Sequence, residues 1–398
     1  MKPRLSSVFG SAFRLAEGRS LVAAVAVLFL LTACGGGNPP SATATSGGPP
    51  TQDKGAVVVT SSAPTSTPES VGSTFPKGTL ILSQHSVAIA QTPNRQTVTI
   101  SDDRFGARGA PNGRYGVKLV KTTSVALSLV DYATNPPQAK DVPQGNNLNG
   151  PGVTWKQDSS GFAFFDFPTR EKAASAAGGI FYFDITSGQT KQLIAGPKDA
   201  TTVVTSFAFS PEGRYLLYTV SKSDAESTTG PGSVAYVLDT TNNQSLPVPP
   251  EVIAGFNQWL KDGSGFLVLK GDPNTGSQSL LLYTLTTLTQ PKILTPAKTS
   301  DFFVDLSPDG KRLIVTSTPA GQTNTSANIY MMNLDGTGRK QLTKFTTVDQ
   351  TITGLVWAAD GIYYSLYGKD VDSTWRMDLD GTNVSKIADG TLNGIIGS

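Results

Sequence analysis

Phe209-Ser210-Pro211-Glu212-Gly213-Arg214-Tyr215 decides how this chain is read. A bulky apolar residue leads into a turn that holds an acid and a glycine, and an aromatic strand follows. The phrase returns as Leu306-Ser307-Pro308-Asp309-Gly310-Lys311-Arg312 and as Trp357-Ala358-Ala359-Asp360-Gly361-Ile362-Tyr363. Two further copies, Trp155 to Phe162 and Trp259 to Phe266, match each other position by position. With the register set on Asp158, Glu212, Asp262, Asp309 and Asp360, successive copies lie about 50 residues apart, a period that marks a repeat architecture. A weaker copy, Pro111-Asn112-Gly113-Arg114-Tyr115, keeps the turn but has Gly109 at the anchor position.

Each phrase is followed by a second alternating strand that ends in a turn. Ile180 to Asp184 leads to Thr186-Ser187-Gly188, Ile329 to Leu334 leads to Asp335-Gly336, and Val234 to Asp239 and Trp375 to Gly381 repeat the pattern. Period-two alternation reads as half-buried strand, and Asp-Gly or Ser-Gly supplies the positive φ of a tight hairpin. A short closing strand follows, as in Lys191-Gln192-Leu193-Ile194 or Lys340-Gln341-Leu342-Thr343. Four antiparallel strands per unit at this period describe the blades of an all-β propeller.

Six copies lie between about Phe105 and Ala388, and a fragment at each end remains. The N-terminal one, Gly78 to Ile100, has three strand-like runs and no anchor phrase. The C-terminal one, Thr391-Leu392-Asn393-Gly394-Ile395-Ile396, resembles Thr351 to Val356, the first strand of the preceding unit. If the C-terminus supplies the missing first strand, the two chain ends close a seven-bladed ring; six blades is the alternative.

Composition agrees with many short strands. Of 398 residues 16% are charged, and no amphipathic helix is predicted beyond the N-terminal segment. The net charge is +2, but residues 1–33 hold Lys2, Arg4, Arg14 and Arg19 against Glu17, a net of +3, which leaves −1 for the remainder. That balance lacks the basic footprint of a nucleic-acid binder. A single cysteine excludes an internal disulfide and a thiolate zinc cluster, and a single histidine leaves little room for a histidine metal site.

The lone cysteine has a place of its own. Leu21 to Leu31 is an unbroken apolar run behind basic residues, too short to span a bilayer and right for a signal-peptide core. Leu31-Thr32-Ala33-Cys34 directly after it resembles the bacterial lipobox, which implies cleavage before Cys34 and lipidation of its thiol; an ordinary secretory signal is the alternative. Acyl chains contribute roughly 0.8 kcal/mol per buried methylene, so several on one cysteine hold a protein at a membrane. Residues 34–77 are Pro, Thr, Ser and Gly-rich with few large apolar side chains, a composition that predicts a tether without a packed core. The expected organisation is a lipoprotein signal peptide over 1–33, a tether over 34–77 and a propeller over 78–398.

Phe207-Ala208-Phe209-Ser210-Pro211-Glu212-Gly213 and Leu306-Ser307-Pro308-Asp309-Gly310-Lys311, the second followed by an Ile-Tyr strand and then Asp335-Gly336-Thr337, resemble the TolB-type propeller repeat, a relative of the WD-type blade. Leu334 to Thr343 is similar to its second half. The resemblance covers about residues 78 to 398 and implies the fold. TolB itself has an α/β domain before its propeller, where this chain has the tether. Repeats of this type also cap peptidases of the prolyl oligopeptidase kind.

Chemistry-bearing motifs are few. The turn acids suit Asx turns better than a metal ring, because one acid per blade stands a blade-width from the next. The anchors Trp155, Phe209, Trp259, Leu306 and Trp357 suit wedges between sheets, and His85 falls in a turn between two N-terminal strands. There is no Gly-x-Ser-x-Gly elbow, Ser-x-x-Lys, His-Glu-x-x-His or Walker-type loop. Alternation along the first strands leaves Thr154, Ala208, Gln258, Asp305 and Val356 as channel-lining candidates, of which Thr154, Gln258 and Asp305 are the polar ones. No catalytic residue, metal ligand or cofactor is implied. The expected function is a lipid-anchored binding or protein-interaction scaffold, taking a protein, peptide or glycan on its loops. The longer insertions Lys222 to Pro231 and Pro319 to Ala327 are the first places to look. A metal-dependent propeller hydrolase or lactonase, and an accessory propeller for a separate peptidase or envelope complex, are the alternatives.

Overall fold

In a computed structural model the chain forms seven antiparallel sheets, six of four strands and one of three. The structure describes residues 75–84, 87–100, 109–121, 125–146, 152–166, 179–196, 202–222, 234–249, 251–322, 326–346, 350–367 and 372–396. The leader, most of the tether, Cys34, His85 and most of the Lys222 to Pro231 insertion lie outside these residues.

Blade 1 contains β1 (Leu80–Gln84), β2 (Val87–Gln91) and β3 (Thr97–Ile100). Blade 2 is the three-stranded sheet of β4 (Tyr115–Lys121), β5 (Val125–Asp131) and β6 (Gln138–Asn146), with a single bridge from Gly109 to Gly116 on its inner side. Blade 3 is β7 (Val153–Trp155), β8 (Gly161–Asp166), β9 (Gly179–Asp184) and β10 (Thr190–Ala195). Blade 4 is β11 (Thr202–Phe209), β12 (Tyr215–Lys222), β13 (Val234–Asp239) and β14 (Gln244–Val248). A five-residue helix, α1 (Glu251–Gly255), leads into blade 5, made of β15 (Phe256–Trp259), β16 (Gly265–Gly271), β17 (Gln278–Thr284) and β18 (Lys292–Ile293). Blade 6 follows with β19 (Thr299–Leu306), β20 (Arg312–Pro319), β21 (Asn328–Asn333) and β22 (Lys340–Gln341). Blade 7 has β23 (Ile352–Ala358), β24 (Gly361–Leu366), β25 (Ser373–Met377) and β26 (Ser385–Asp389).

The last strand, β27 (Thr391–Ile395), does not extend blade 7. It pairs antiparallel with β1, Leu80 opposite Ile395 and Ser83 opposite Thr391, and becomes the fourth strand of blade 1. The ring therefore closes on seven blades, with both chain ends in one sheet, as the similarity between the terminal fragment and Thr351 to Val356 predicts. The helix α1 is a departure from the all-strand reading, and its five residues are too few to show a helical period.

The repeated phrase builds a wedge and a turn. Phe209 sits in the core between blades 3 and 4, Trp259 between 4 and 5, Leu306 between 5 and 6, and Trp357 between 6 and 7, each nine-tenths or more buried. Trp155 is half-buried and packs against the core between blades 2 and 3. The turn acids act locally: the backbone N–H of Ser160, Ser264 and Lys311 donates to Asp158, Asp262 and Asp309, two residues back, at 2.9, 3.0 and 3.1 Å. Gly213, at φ 72°, closes such a turn through its N–H to the Ser210 carbonyl at 2.8 Å, a conformation that favours glycine.

Candidate functional site

Side chains of a blade's inner strand alternate between the two faces of the sheet, and each face looks at a neighbouring blade. This alternation locates the candidates Thr154, Ala208, Gln258, Asp305 and Val356. The anchors point back to the preceding blade; where contacts define their neighbours, these reach forward to the next one. Gln258 Nε2 donates to the Val304 carbonyl of blade 6 at 3.4 Å. Asp305 Oδ2 accepts from the Trp357 backbone N–H of blade 7 at 2.8 Å, and its Oδ1 from the N–H of Leu306 at 2.9 Å. Ala208 packs against the core between blades 4 and 5, and Val356, only 8% exposed, lies in the core between blades 7 and 1. Thr154 is half-buried at the centre of β7.

This corrects the channel assignment for Ala208 and Val356. The face opposite an anchor is an interblade face, so a small or apolar residue there joins the next core. The polar pair Gln258 and Asp305 survives as half-buried groups at successive inner strands. Each makes one hydrogen bond to backbone of the following blade, and each carries a different chemistry in a different interface.

Two polar clusters carry no signal in the repeat. Asp301, at the start of β19, is fully buried and accepts from Arg339 Nη2 at 2.8 Å and from the Thr295 hydroxyl at 2.7 Å, while the Arg339 guanidinium lies 4.6 Å from the Tyr330 ring centroid. A carboxylate stripped of water persists where charge and hydrogen bonds replace its hydration, and this one has both. The second cluster joins α1 to blade 5. The buried Tyr283 hydroxyl donates to Glu251 Oε1 at 3.0 Å, and Lys270 Nζ stands 3.5 Å from the same oxygen. Burial disfavours the Glu251 carboxylate, but hydrogen bonds from backbone N–H and Tyr283 and the Lys270 charge outweigh it and hold the acid below its ordinary range. Neither residue pattern recurs from blade to blade, so alignment of the copies could not reveal it.

Among the described residues no three of His, Cys, Asp and Glu stand close enough together to hold a metal ion. The turn acids Asp158, Asp262 and Asp309 are each engaged by their own turn, and Asp360 accepts from the Tyr363 hydroxyl at 2.7 Å. The Pro319 to Ala327 insertion is described at its two ends only.

No protein-family model matches the sequence, and no curated protein matches it. Solved structures do. Prolyl oligopeptidase B from Galerina marginata superimposes with a TM-score of 0.55 at 12% identity, over 80% of this chain and 52% of that one. A prolyl endopeptidase described for the role of inter-domain dynamics in catalysis and specificity gives 0.54 at 13% identity, over 79% of this chain and 50% of its own. TolB from Acinetobacter baumannii matches at a TM-score of 0.38 and 16% identity, covering 77% of each chain. At these identities the likeness to the two peptidases shows the propeller fold. This chain spans about half the length of those peptidase chains.

Proposed function

We propose that this protein is a lipid-anchored extracytoplasmic propeller of the bacterial envelope that works as a binding or protein-interaction scaffold. The observation that carries the reading is the use made of polar groups on the inner strands. Gln258 and Asp305 are bonded across blade junctions, and the turn acids Asp158, Asp262 and Asp309 are held by their own turns, so these groups of the repeat serve construction. What remains for recognition is the irregular loops, where scaffolds of this kind carry their specificity. The apolar run Leu21 to Leu31 and Leu31-Thr32-Ala33-Cys34 supply the anchor in this reading, and residues 34–77 the tether.

A second reading is favoured by the superposition on the prolyl peptidases: an accessory propeller that serves a separately encoded peptidase or envelope complex. A metal-dependent hydrolase or lactonase is the third, and metal analysis of the purified folded protein tests it directly.

One experiment addresses anchor and partner together. Membranes carrying the full chain are solubilised and the protein is captured with whatever remains bound. A stoichiometric protein that survives salt washing supports the scaffold, and one with peptidase activity selects the accessory reading. Recovery of this chain alone, with bound metal and hydrolytic activity of its own, overturns both. Cys34→Ala should move the protein from the membrane to the soluble fraction; unchanged membrane retention contradicts the lipid anchor.

A further inference from the structure

Seven sheets leave seven outer edges, and a strand at an edge presents unpaired N–H and C=O groups to any other strand. Six of these edges carry a residue that resists such pairing: Lys140 in β6, Lys191 in β10, Pro247 in β14, Lys292 in β18, Lys340 in β22 and Lys386 in β26. The seventh, β3 of blade 1, reads Thr97-Val98-Thr99-Ile100, with no charge and no proline. It alone among the outer strands lacks the guard against strand addition.

This edge is also open. Thr97, Val98 and Thr99 are exposed in succession, on both faces of the sheet, Val98 at 47%. Among the described residues β3 pairs only with β2. Val98 stands opposite Ala90 and shares a face with Ile100, and both neighbours belong to an apolar cluster of blade 1 that includes Ile81 and Ile396. A strand laid along β3 would extend that cluster by one row and give the edge amides partners.

The chain carries a candidate for that strand. Residues 34–77 are Pro, Thr, Ser and Gly-rich except at Val57-Val58-Val59-Thr60, where large apolar side chains run consecutively. All four residues are β-branched, which favours extended backbone. Alternation sets Val57 and Val59 on one face and Val58 and Thr60 on the other, a match for Val98 and Ile100 on one side of the edge and Thr97 and Thr99 on the other.

The point of entry fits as well. Leu80, Gln91 and Thr97 stand in one row, so β3 begins at the end of the blade where the chain enters β1. A strand antiparallel to β3 finishes at that end, three strand spacings or about 14 Å from β1. Residues 61–74, between Thr60 and Phe75, reach up to about 46 Å when extended and cross that gap with slack. Phe75 itself packs on the cluster of Ala90 and Ile100.

We propose that Val57 to Thr60 adds to β3 as a fifth, antiparallel strand of blade 1. A segment joined to its site by a short linker acts at an effective concentration in the millimolar range, which favours it over a second copy or a separate protein. Docking takes up the chain after Ala56 and leaves residues 34–56 as the free tether, so release of the strand lengthens the reach of the propeller. None of this requires lipid on Cys34, and loss of the anchor would leave the docked strand in place.

Hydrogen exchange followed by mass spectrometry on the full chain in detergent tests this. Amides of residues 57–60 should exchange at least about tenfold more slowly than an unstructured chain, as for a segment docked nine-tenths of the time. Val98→Lys, at an exposed position, installs the guard the other edges have and should return 57–60 to the unstructured rate with the rest of the ring unchanged. Val58→Pro, outside the propeller, should speed exchange at Thr97 to Thr99. Unprotected amides at 57–60 in the unmodified chain overturn the proposal, as does protection there that Val98→Lys leaves intact. Protection of β3 that survives Val58→Pro and grows with protein concentration assigns the edge to a second copy instead. Protection that appears only in crude membranes assigns it to a partner protein, and either result also overturns the proposal.

Discussion

The anchor and its neighbour have different jobs although they are adjacent in the chain. Trp259 is 5% exposed, stacks on Tyr215, meets Phe266 edge-on at 5.3 Å and donates its indole N–H to the Ala208 carbonyl. Gln258 is half-buried and makes one long bond to the Val304 carbonyl. Trp259→Ala removes a large buried ring and leaves a cavity at a junction, a loss of about 3–5 kcal/mol. Gln258→Ala removes one neutral hydrogen bond, about 1 kcal/mol. Denaturant titration of both variants distinguishes wedge from ligand platform: equal losses would contradict the wedge assignment. Ligand binding, if Gln258 takes part in it, would fall in the second variant with stability nearly intact.

At the level of strands and helices, the closing strand is the element most exposed to a test. β27 is held to both blades it joins. Its Leu392 N–H donates to Ser365 Oγ of blade 7 at 2.7 Å, and its Asn393 side chain donates to Ser83 Oγ of β1 at 2.8 Å. Leu392 itself is 5% exposed in the core between blades 7 and 1. Leu392→Asp buries a charge with no partner in that core, which costs roughly 3–5 kcal/mol if the junction stays closed. The relief is to open it, so the expected outcome is rapid protease cleavage between residues 78 and 100 while fragments of blades 3 to 6 persist. Protease resistance equal to that of the unmodified chain would mean that β27 does not hold the ring. This strand was legible in the sequence because it copies the first strand of blade 7, and similarity within a chain needs no knowledge of contacts. α1 was not, since five residues are too short for a 3.6-residue period and Glu251 is fixed by Tyr283, about thirty positions away. The polar candidates were legible only in part. Alternation correctly set Gln258 and Asp305 opposite the anchors, but the destination of that face, the next blade, depends on how sheets stand around the ring.

For the molecule as a whole, the buried phenols make folding sensitive to alkali. Burial pushes Tyr182, Tyr363 and Tyr364 up to about 12, and Tyr283 higher still, the last also because its hydroxyl donates to the Glu251 carboxylate. Unfolded, each returns to about 10. A group whose folded value is raised contributes stability that is complete below the unfolded value and is lost as pH rises toward the folded one. These tyrosines stand in blades 3, 5 and 7, so no single blade bears the whole effect. In an open array each blade could melt alone; in a closed ring the loss of one removes a neighbour from two others. Raising the pH from 10 to 12 should therefore give tyrosinate absorbance and loss of β-sheet circular dichroism in step, not ionisation first and unfolding later. Tyr364→Phe keeps the packed ring, which is 1% exposed, and deletes one titrating group, so its alkaline midpoint should move up while its stability at pH 7 stays close to that of the unmodified protein. Tyrosinate forming fully near pH 10 with the dichroism unchanged would show that these hydroxyls reach water in the folded ring, and the interblade packing that buries them would have to be redrawn.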